Sequence, residues 1–140
     1  MRGRKPSQSS EYYLPTNQYL YAVRHALLFD DWRAEIKALE NQSRAIRYDK
    51  ERVQTTPDYN ATEVAAFEIL EIQKKVDKIE RALAEACEGF DDYTVECIRL
   101  AVTKGYTYTQ LTTGRHRMPL NHIAFGKIKH KFYYVLYQML

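Results

Sequence analysis

Two long stretches of the chain repeat apolar residues at the spacing of an amphipathic helix. The first extends from about Thr16 to Arg47 and the second from about Ala61 to Glu88. In both, the apolar positions follow one another in alternating steps of three and four residues, which places them on one face of an α-helix and is typical of a coiled-coil seam. The sequence therefore predicts two long helices, each with one apolar face to bury.

A short connection separates the two predicted helices. Pro57 disfavours helix at the residue before it, and Asn60 with Glu63 three residues later matches a helix N-cap and its capping-box partner. The two helices can bury their apolar faces as an antiparallel hairpin within one chain or by pairing between chains. Both arrangements remain open, as does a hairpin that also dimerises, and we expect a homo-oligomer.

Three shorter helices are predicted in the last third of the chain. Gly89 is expected to end the second long helix, and a third apolar-periodic stretch runs from Tyr93 to a break at Gly105. The letters YTYTQL predict a helix of about two turns capped by Thr107, and the letters TTGRHRMP predict a turn. A longer helix then reaches the end of the chain, with its apolar seam at Phe125, Ile128, Phe132, Leu136 or Val135, and Met139.

A short helix, a glycine-containing turn and a longer basic helix form the pattern of a helix-turn-helix. We therefore predict an all-α protein in which a long helical hairpin or coiled-coil half precedes a C-terminal helix-turn-helix. The expected boundaries are a disordered basic arm at 1–15, the hairpin or oligomerisation region at 16–88 and the DNA-binding domain at 89–140. A solvated helical tail is the alternative interpretation of the last region.

The net charge of +3 conceals a segregation of charge along the chain. Residues 97–140 contain seven Lys and Arg residues and no Asp or Glu, whereas residues 1–96 hold fourteen basic and eighteen acidic residues. An acid-free basic segment is the electrostatic signature of a surface that meets phosphates. Nucleic acid is thus the expected partner, and an acidic protein is the alternative.

The predicted last helix and the turn before it supply the candidate contacts with double-stranded DNA. With Phe125 at the centre of the buried face, Ile123, Lys127 and His130 are expected roughly opposite. His122 and Lys129 are expected on one flank. The complete set of predicted DNA-binding residues is Arg115, Arg117, Asn121, His122, Lys127, Lys129, His130 and Lys131.

Base contacts and phosphate contacts require different residue types. Asn121 and His122, near the helix start, are the candidates for base contact, because asparagine pairs well with adenine in the major groove. Ala124 and Gly126 are small and are expected to let the helix backbone approach DNA closely. The residues expected mainly to neutralise phosphate are Arg115, Arg117, Lys129 and Lys131.

Other classes of protein find little support in the sequence. No apolar run follows the basic N-terminus, so a signal peptide is not expected, and no stretch reaches the ~20 apolar residues of a membrane span. No catalytic motif is present, and Cys87 and Cys97 lack the short ligand spacing of structural zinc sites. We expect a non-enzymatic, cytoplasmic protein with no cofactor, no metal and no membrane partner.

Two segments resemble known families of transcription proteins. GYTYTQL, followed by a turn and a basic helix, is similar to the last DNA-binding region of sigma factors. YDKERVQTTPD, set between two long charged helices, resembles a stretch of short phage and prophage regulators of late-gene transcription, the RinA-like and ArpU-like group. The segment Met118-Pro119-Leu120-Asn121 departs from that family, whose last helix usually opens with a Ser or Thr cap followed by Arg or Lys.

The resemblance covers about residues 20–138 and implies a sequence-specific activator that binds near a late promoter in the host bacterial cytoplasm, with host RNA polymerase as a second candidate partner. Two alternatives remain. A helical interaction protein would bind RNA polymerase or another phage protein, and a small DNA-packaging component would bind DNA as a ring-forming oligomer.

Overall fold

The computed structural model describes residues 11–53, 61–113 and 117–140, and all regular secondary structure in these ranges is helical. The predicted all-α class is therefore confirmed. The predicted cap Asn60, Pro57 and the turn residue Gly114 lie outside the described residues. In chain order the helices are α1 (Thr16–Leu27), α2 (Phe29–Val53), α3 (Ala61–Ala86), α4 (Asp92–Lys104), α5 (Tyr108–Thr113) and α6 (His122–Met139).

The first long helix of the sequence prediction is two helices. Leu28 forms a turn between α1 and α2, and its backbone N–H donates to the carbonyl of His25 at 3.2 Å. Asp30 and Asp31 occupy the first turn of α2, where the positive end of the helix dipole favours carboxylates. The prediction of one continuous helix over 16–47 is wrong, because the apolar spacing passes unchanged through a turn of one residue.

The described residues form two compact units. One contains the described residues of Met1–Phe29 together with Lys78–Leu140, and the other contains Asp30–Asp77. In the first unit α1 packs against α4 and α6, and α4 also packs against α5 and α6. The side chains that are fully buried in this unit include Phe29, Ile79, Leu83, Ile98, Val102, Leu111, Phe132 and Leu136.

The N-terminal segment belongs to the same unit as the C-terminal helices. The sequence assigned α1 to the region 16–88, whereas its contacts with α4 and α6 make it part of their core. Residues 11–15, which belong to the segment predicted to be a disordered arm, also pack in this unit. Leu14 is buried, and the ring of Tyr12 lies 5.8 Å from that of Tyr134 on α6. Apolar and aromatic residues before α1 thus pack in the same unit as α6, which lies far from them in the sequence.

Local hydrogen bonds set the ends of α4 and α5. Asp91 caps α4 by accepting from the backbone N–H of Thr94 at 3.2 Å and from the Thr94 hydroxyl, and these bonds lower the pKa of the Asp91 carboxyl. Gly105 ends α4 with a φ of 74°, a left-handed conformation that favours glycine. At α5 the predicted cap is confirmed: Thr107 Oγ1 accepts from Gln110 N at 3.1 Å, and Gln110 Oε1 accepts from Thr107 N at 2.8 Å.

The apolar seam predicted for the second long helix is largely buried in α3. Of its seven positions Ile69 is half-buried, and the other six are buried: Ala65, Ile72, Val76, Ile79, Leu83 and Ala86. The helix ends at Ala86, and Gly89, three residues later, has a φ of 88°. The expected glycine stop is therefore confirmed, although the helix itself ends slightly earlier.

The second unit brings parts of α2 and α3 together. The ammonium of Lys75 on α3 lies 5.4 Å from the centroid of the Trp32 ring on α2, a cation–π distance. The side chains of Ser43 and of residues 45–53 lie outside the described ones. The choice between a hairpin within the chain and a coiled coil between chains therefore stays a prediction.

Candidate nucleic-acid interface

Asn121 sets the position at which α6 begins. It has extended backbone angles, φ −76° and ψ 170°, and its side-chain Oδ1 accepts a hydrogen bond of 2.8 Å from the backbone N–H of Ala124. This is the geometry of a helix N-cap, so the first residues inside α6 are His122 and Ile123. The sequence analysis predicted that Asn121 contacts a base, whereas one of its two polar side-chain atoms, Oδ1, caps the helix.

Tyr108 connects α5 to the start of α6. Its hydroxyl donates to the backbone carbonyl of Leu120 at 2.8 Å. Its ring centroid lies 5.3 Å from that of His122 and 5.3 Å from that of Phe125, distances typical of favourable aromatic pairs. The short helix thereby orients Leu120 and the first turn of α6.

The connection between α5 and α6 is held at two further points. The backbone N–H of Met118 donates to the carbonyl of Leu111 at 3.1 Å, and the Met118 side chain is buried. The backbone N–H of Arg117 donates to the hydroxyl of Tyr93, near the start of α4. The described residues of the connection, 117–120, are therefore fixed to α4 and α5. The Arg117 side chain is exposed.

The surface of α6 that faces away from the core combines polar, apolar and basic side chains. Asn121, His122, Ile123 and Lys127 are all exposed. Phe125, at the core face, is 4% exposed, whereas Ile123 is 69% exposed. The sequence therefore located the buried face of α6 correctly and placed Lys127 on the opposite side, as found.

Gly126 leaves an open position on the same helix. A Cβ atom built on this residue meets nothing within 4 Å. A glycine inside a helix costs about 1 kcal/mol relative to alanine, and internal packing does not require the missing side chain here. The helix backbone is thus accessible at Gly126, one turn after Ile123.

Lys129 does not lie on an exposed flank. It is 8% exposed, and its ammonium lies 5.3 Å from the centroid of the Phe125 ring. Residues four apart lie on one face of a helix, so Lys129 follows Phe125 into the core and keeps its charge near the ring. Desolvation lowers the pKa of this ammonium. The sequence analysis placed Lys129 on a flank of α6, and the structure buries it instead.

The other predicted contacts divide into two groups. His130 and Lys131 are half-buried, and the His130 ring lies 6.3 Å from that of Tyr19 on α1. They thus sit farther from the exposed face than Lys127. Arg115 lies outside the described residues.

The basic character of the C-terminal segment is unevenly distributed in space. Arg99 lies 3.6 Å from Glu80 and 3.4 Å from Glu96, so acidic residues outside the acid-free segment pair with it. Lys129 is withdrawn into the core. Among the described basic residues near the start of α6, Arg117 and Lys127 are the exposed ones.

The cysteines lie inside the first unit. Burial raises the pKa of the Cys87 thiol to about 11, against the opposing influence of Arg99 and Lys131, and burial also raises the pKa of Cys97. Both are free thiols and both are buried. Among the described residues, no three His, Cys, Asp or Glu side chains are grouped to hold a metal ion.

Three residues of the site were not predicted as such from the sequence. The sequence analysis placed Tyr108 and Tyr93 only within helical stretches, although a tyrosine next to a turn has a hydroxyl with which to hold that turn. Ile123 was placed on the outer face but not among the contact residues. Its signal was available: an isoleucine on the side of a helix opposite the core seam.

Comparison of the chain with protein-family models, with curated proteins and with solved structures found no match. None of the described helices is both long enough and apolar enough to span a membrane.

Proposed function

We propose that this protein is a sequence-specific regulator of transcription that binds double-stranded DNA. In this proposal α5, the connection and α6 act as a helix-turn-helix, with α5 next to the phosphate backbone and α6 in the major groove. The observation that carries the proposal is the exposed face at the start of α6. There Asn121, His122 and Lys127 stand together with no acidic residue in the same segment.

The rigidity of this face supports the proposal. A helix that reads base edges must be held in register, because hydrogen bonds to bases depend on position as well as residue type. The hydroxyl of Tyr108 on Leu120, the Asn121 cap and the backbone bond between Met118 and Leu111 all fix the start of α6. Such anchoring is what a presented recognition helix requires.

The proposal is tested by selecting bound fragments from a library of random duplex DNA with the full chain and sequencing them. An enriched motif is expected, and the affinity for it should exceed that for scrambled duplexes by 10³-fold or more, as is typical of specific recognition. A palindromic motif would indicate a symmetric dimer. Binding without enrichment, sensitive only to salt, would contradict sequence-specific recognition.

Activation of phage late genes is the narrower proposal, and its support is the sequence resemblance at GYTYTQL and YDKERVQTTPD. A reporter gene placed downstream of the selected motif tests it. Transcription should rise when the full chain is expressed and should rise less with Lys127→Ala. A fall in transcription would identify a repressor instead.

A protein-interaction role is the alternative that a structural observation favours. Phe67 and Leu70 on α3 are 64% and 60% exposed. Residues three apart are neighbours on a helix, and contiguous exposed apolar side chains mark surfaces that bind other proteins. Replacing both with serine should abolish such binding while leaving DNA affinity intact. If the chain enriches no DNA motif and binds RNA polymerase or another phage protein through these residues, the interaction role replaces the DNA-binding one. A ring-forming mass in solution would favour a packaging component.

A further inference from the structure

Ile123 is a large apolar side chain that the fold leaves in water. At 69% it has the highest exposed fraction among the large hydrophobic side chains of the described residues. It lies in the first turn of α6, and isoleucine is a weaker helix former than alanine, leucine or lysine. Neither core packing nor helix propensity accounts for an isoleucine at this position.

The neighbours of Ile123 on the helix surface describe what can cover it. Residues three and four positions later lie beside it, and these are Gly126 and Lys127. Gly126 leaves open space, since a Cβ there would meet nothing within 4 Å, and Lys127 is exposed. The surface is thus a small apolar spot with room beside it and a positive charge at its edge. Its complement is a small apolar group on an anionic partner.

We propose, on the basis of the DNA-binding function proposed above, that Ile123 contacts the C5 methyl group of a thymine in the major groove and so selects an A·T base pair at that position. In the major groove thymine is the one base that presents a methyl group, beside its O4 acceptor. The phosphates on either side supply the negative charge that Lys127 complements. The open position at Gly126 leaves space for the groove wall.

This assignment also changes the role of Asn121. Bidentate pairing with adenine uses both the carbonyl and the amine of an asparagine side chain. Here Oδ1 already accepts from the backbone of Ala124 at 2.8 Å. Selection of an A·T pair at the start of α6 therefore falls to Ile123, and the amine of Asn121 remains free to donate to a phosphate or to a base acceptor.

The experiment replaces the thymines of the selected duplex one at a time with deoxyuridine, which removes only the C5 methyl. Each duplex is titrated with the wild-type full chain, with Ile123→Ala and with the control Leu70→Ala, which removes an aliphatic side chain of similar exposure from α3. At one thymine the wild type should lose affinity about fourfold, the effect of one buried methyl group. Ile123→Ala should bind the unmodified duplex more weakly and should not respond to that substitution. Leu70→Ala should behave as the wild type does.

The outcomes separate this inference from the function on which it depends. If a motif is selected but no thymine shows a response that depends on Ile123, the methyl contact is wrong and the DNA-binding function stands. If no motif is selected, both are wrong. If Ile123→Ala leaves every DNA affinity unchanged and lowers the mass of the protein in solution, Ile123 contacts a second copy of the chain and the inference is overturned.

Discussion

The hydroxyl of Tyr108 on α5 donates a hydrogen bond of 2.8 Å to the backbone carbonyl of Leu120, two residues before α6 begins. The bond crosses the connection between the two helices, so α5 determines where the exposed start of α6 is presented. Removing this bond should therefore affect both the stability of the unit and the proposed DNA binding by the start of α6.

The first prediction concerns the Tyr108 hydroxyl. Tyr108→Phe keeps the ring contacts with His122 and Phe125 and removes the hydrogen bond, which should lower the free energy of unfolding by about 1 kcal/mol. DNA affinity should fall as well, because the start of α6 is less firmly held. Urea unfolding and a DNA titration measure the two effects. Tyr21→Phe, at a tyrosine that is 54% exposed, is the control and should change neither; equal losses in both variants would contradict the role of the Tyr108 bond.

The second prediction separates the two roles of Asn121. Asn121→Ala removes the helix cap and should cost about 1 kcal/mol of stability, whereas Asn121→Ser retains a capping oxygen and should cost little. Both variants lack the amide. If the amine contacts DNA, Asn121→Ser should fold with near wild-type stability and still bind DNA more weakly. Wild-type affinity in the serine variant would limit Asn121 to its structural role.

The third prediction concerns the exposed charge of Lys127. Lys127→Ala should lower affinity for all DNA sequences to a similar degree and reduce the slope of log affinity against log salt by about 0.9, the value for one phosphate contact on duplex DNA. Lys37→Ala, at an exposed position of α2, serves as the control and should leave the slope unchanged. A wild-type slope in Lys127→Ala would remove this residue from the interface.

The fourth prediction uses the open position at Gly126. Gly126→Ala should stabilise the protein by about 1 kcal/mol, because the helix gains a better helix former and the new methyl group meets nothing within 4 Å. The same methyl group should weaken DNA binding if the helix backbone approaches the groove there. A variant that is more stable and binds DNA as tightly as the wild type would show that DNA does not approach the helix at this point.

The fifth prediction follows from the lowered pKa of Lys129, which burial causes. Between the folded pKa and the unfolded value of 10.5, the unfolded chain binds more protons than the folded one, so this residue makes stability rise with pH. Lys129→Met should be more stable than the wild type at pH 7, and the difference should shrink as the pH approaches 10.5. Urea unfolding of both proteins at several pH values measures this difference.

Groups that titrate equally in the wild type and in Lys129→Met cancel from that comparison. Lys127→Met is the control, because the exposed Lys127 side chain should give a stability difference that stays constant with pH. A constant difference for Lys129→Met as well would mean that its ammonium reaches water.

Elements with a complete local signal were predictable from the sequence. The Thr107 cap, the glycine stop after α3 and the seam of α6 through Phe125 and Phe132 depend on residues a few positions apart, and all are found. The all-helical class follows from the same short-range spacing. The turn at Leu28 was missed because it leaves that spacing intact.

The candidate site was only partly predictable, because the helical repeat indicates which side chains are exposed but not which distant residues hold them in place. The exposure of His122 and Lys127 follows from the helical repeat once the seam is known. The same repeat places Lys129, four residues after Phe125, next to the core, and the prediction that put it on a flank did not use this relation. The anchoring of Leu120 by Tyr108 joins residues twelve positions apart, so the repeat gives no sign of it.

The sequence by itself determined the helical class, most helix ends and the segregation of charge, because caps, glycines and apolar periodicity act over one or two turns of the chain. Only the tertiary structure decided that α1 belongs with α4 and α6 and that Tyr108 holds Leu120. These outcomes depend on which helices pack together, and contacts between residues far apart in the chain leave no periodic trace in the sequence.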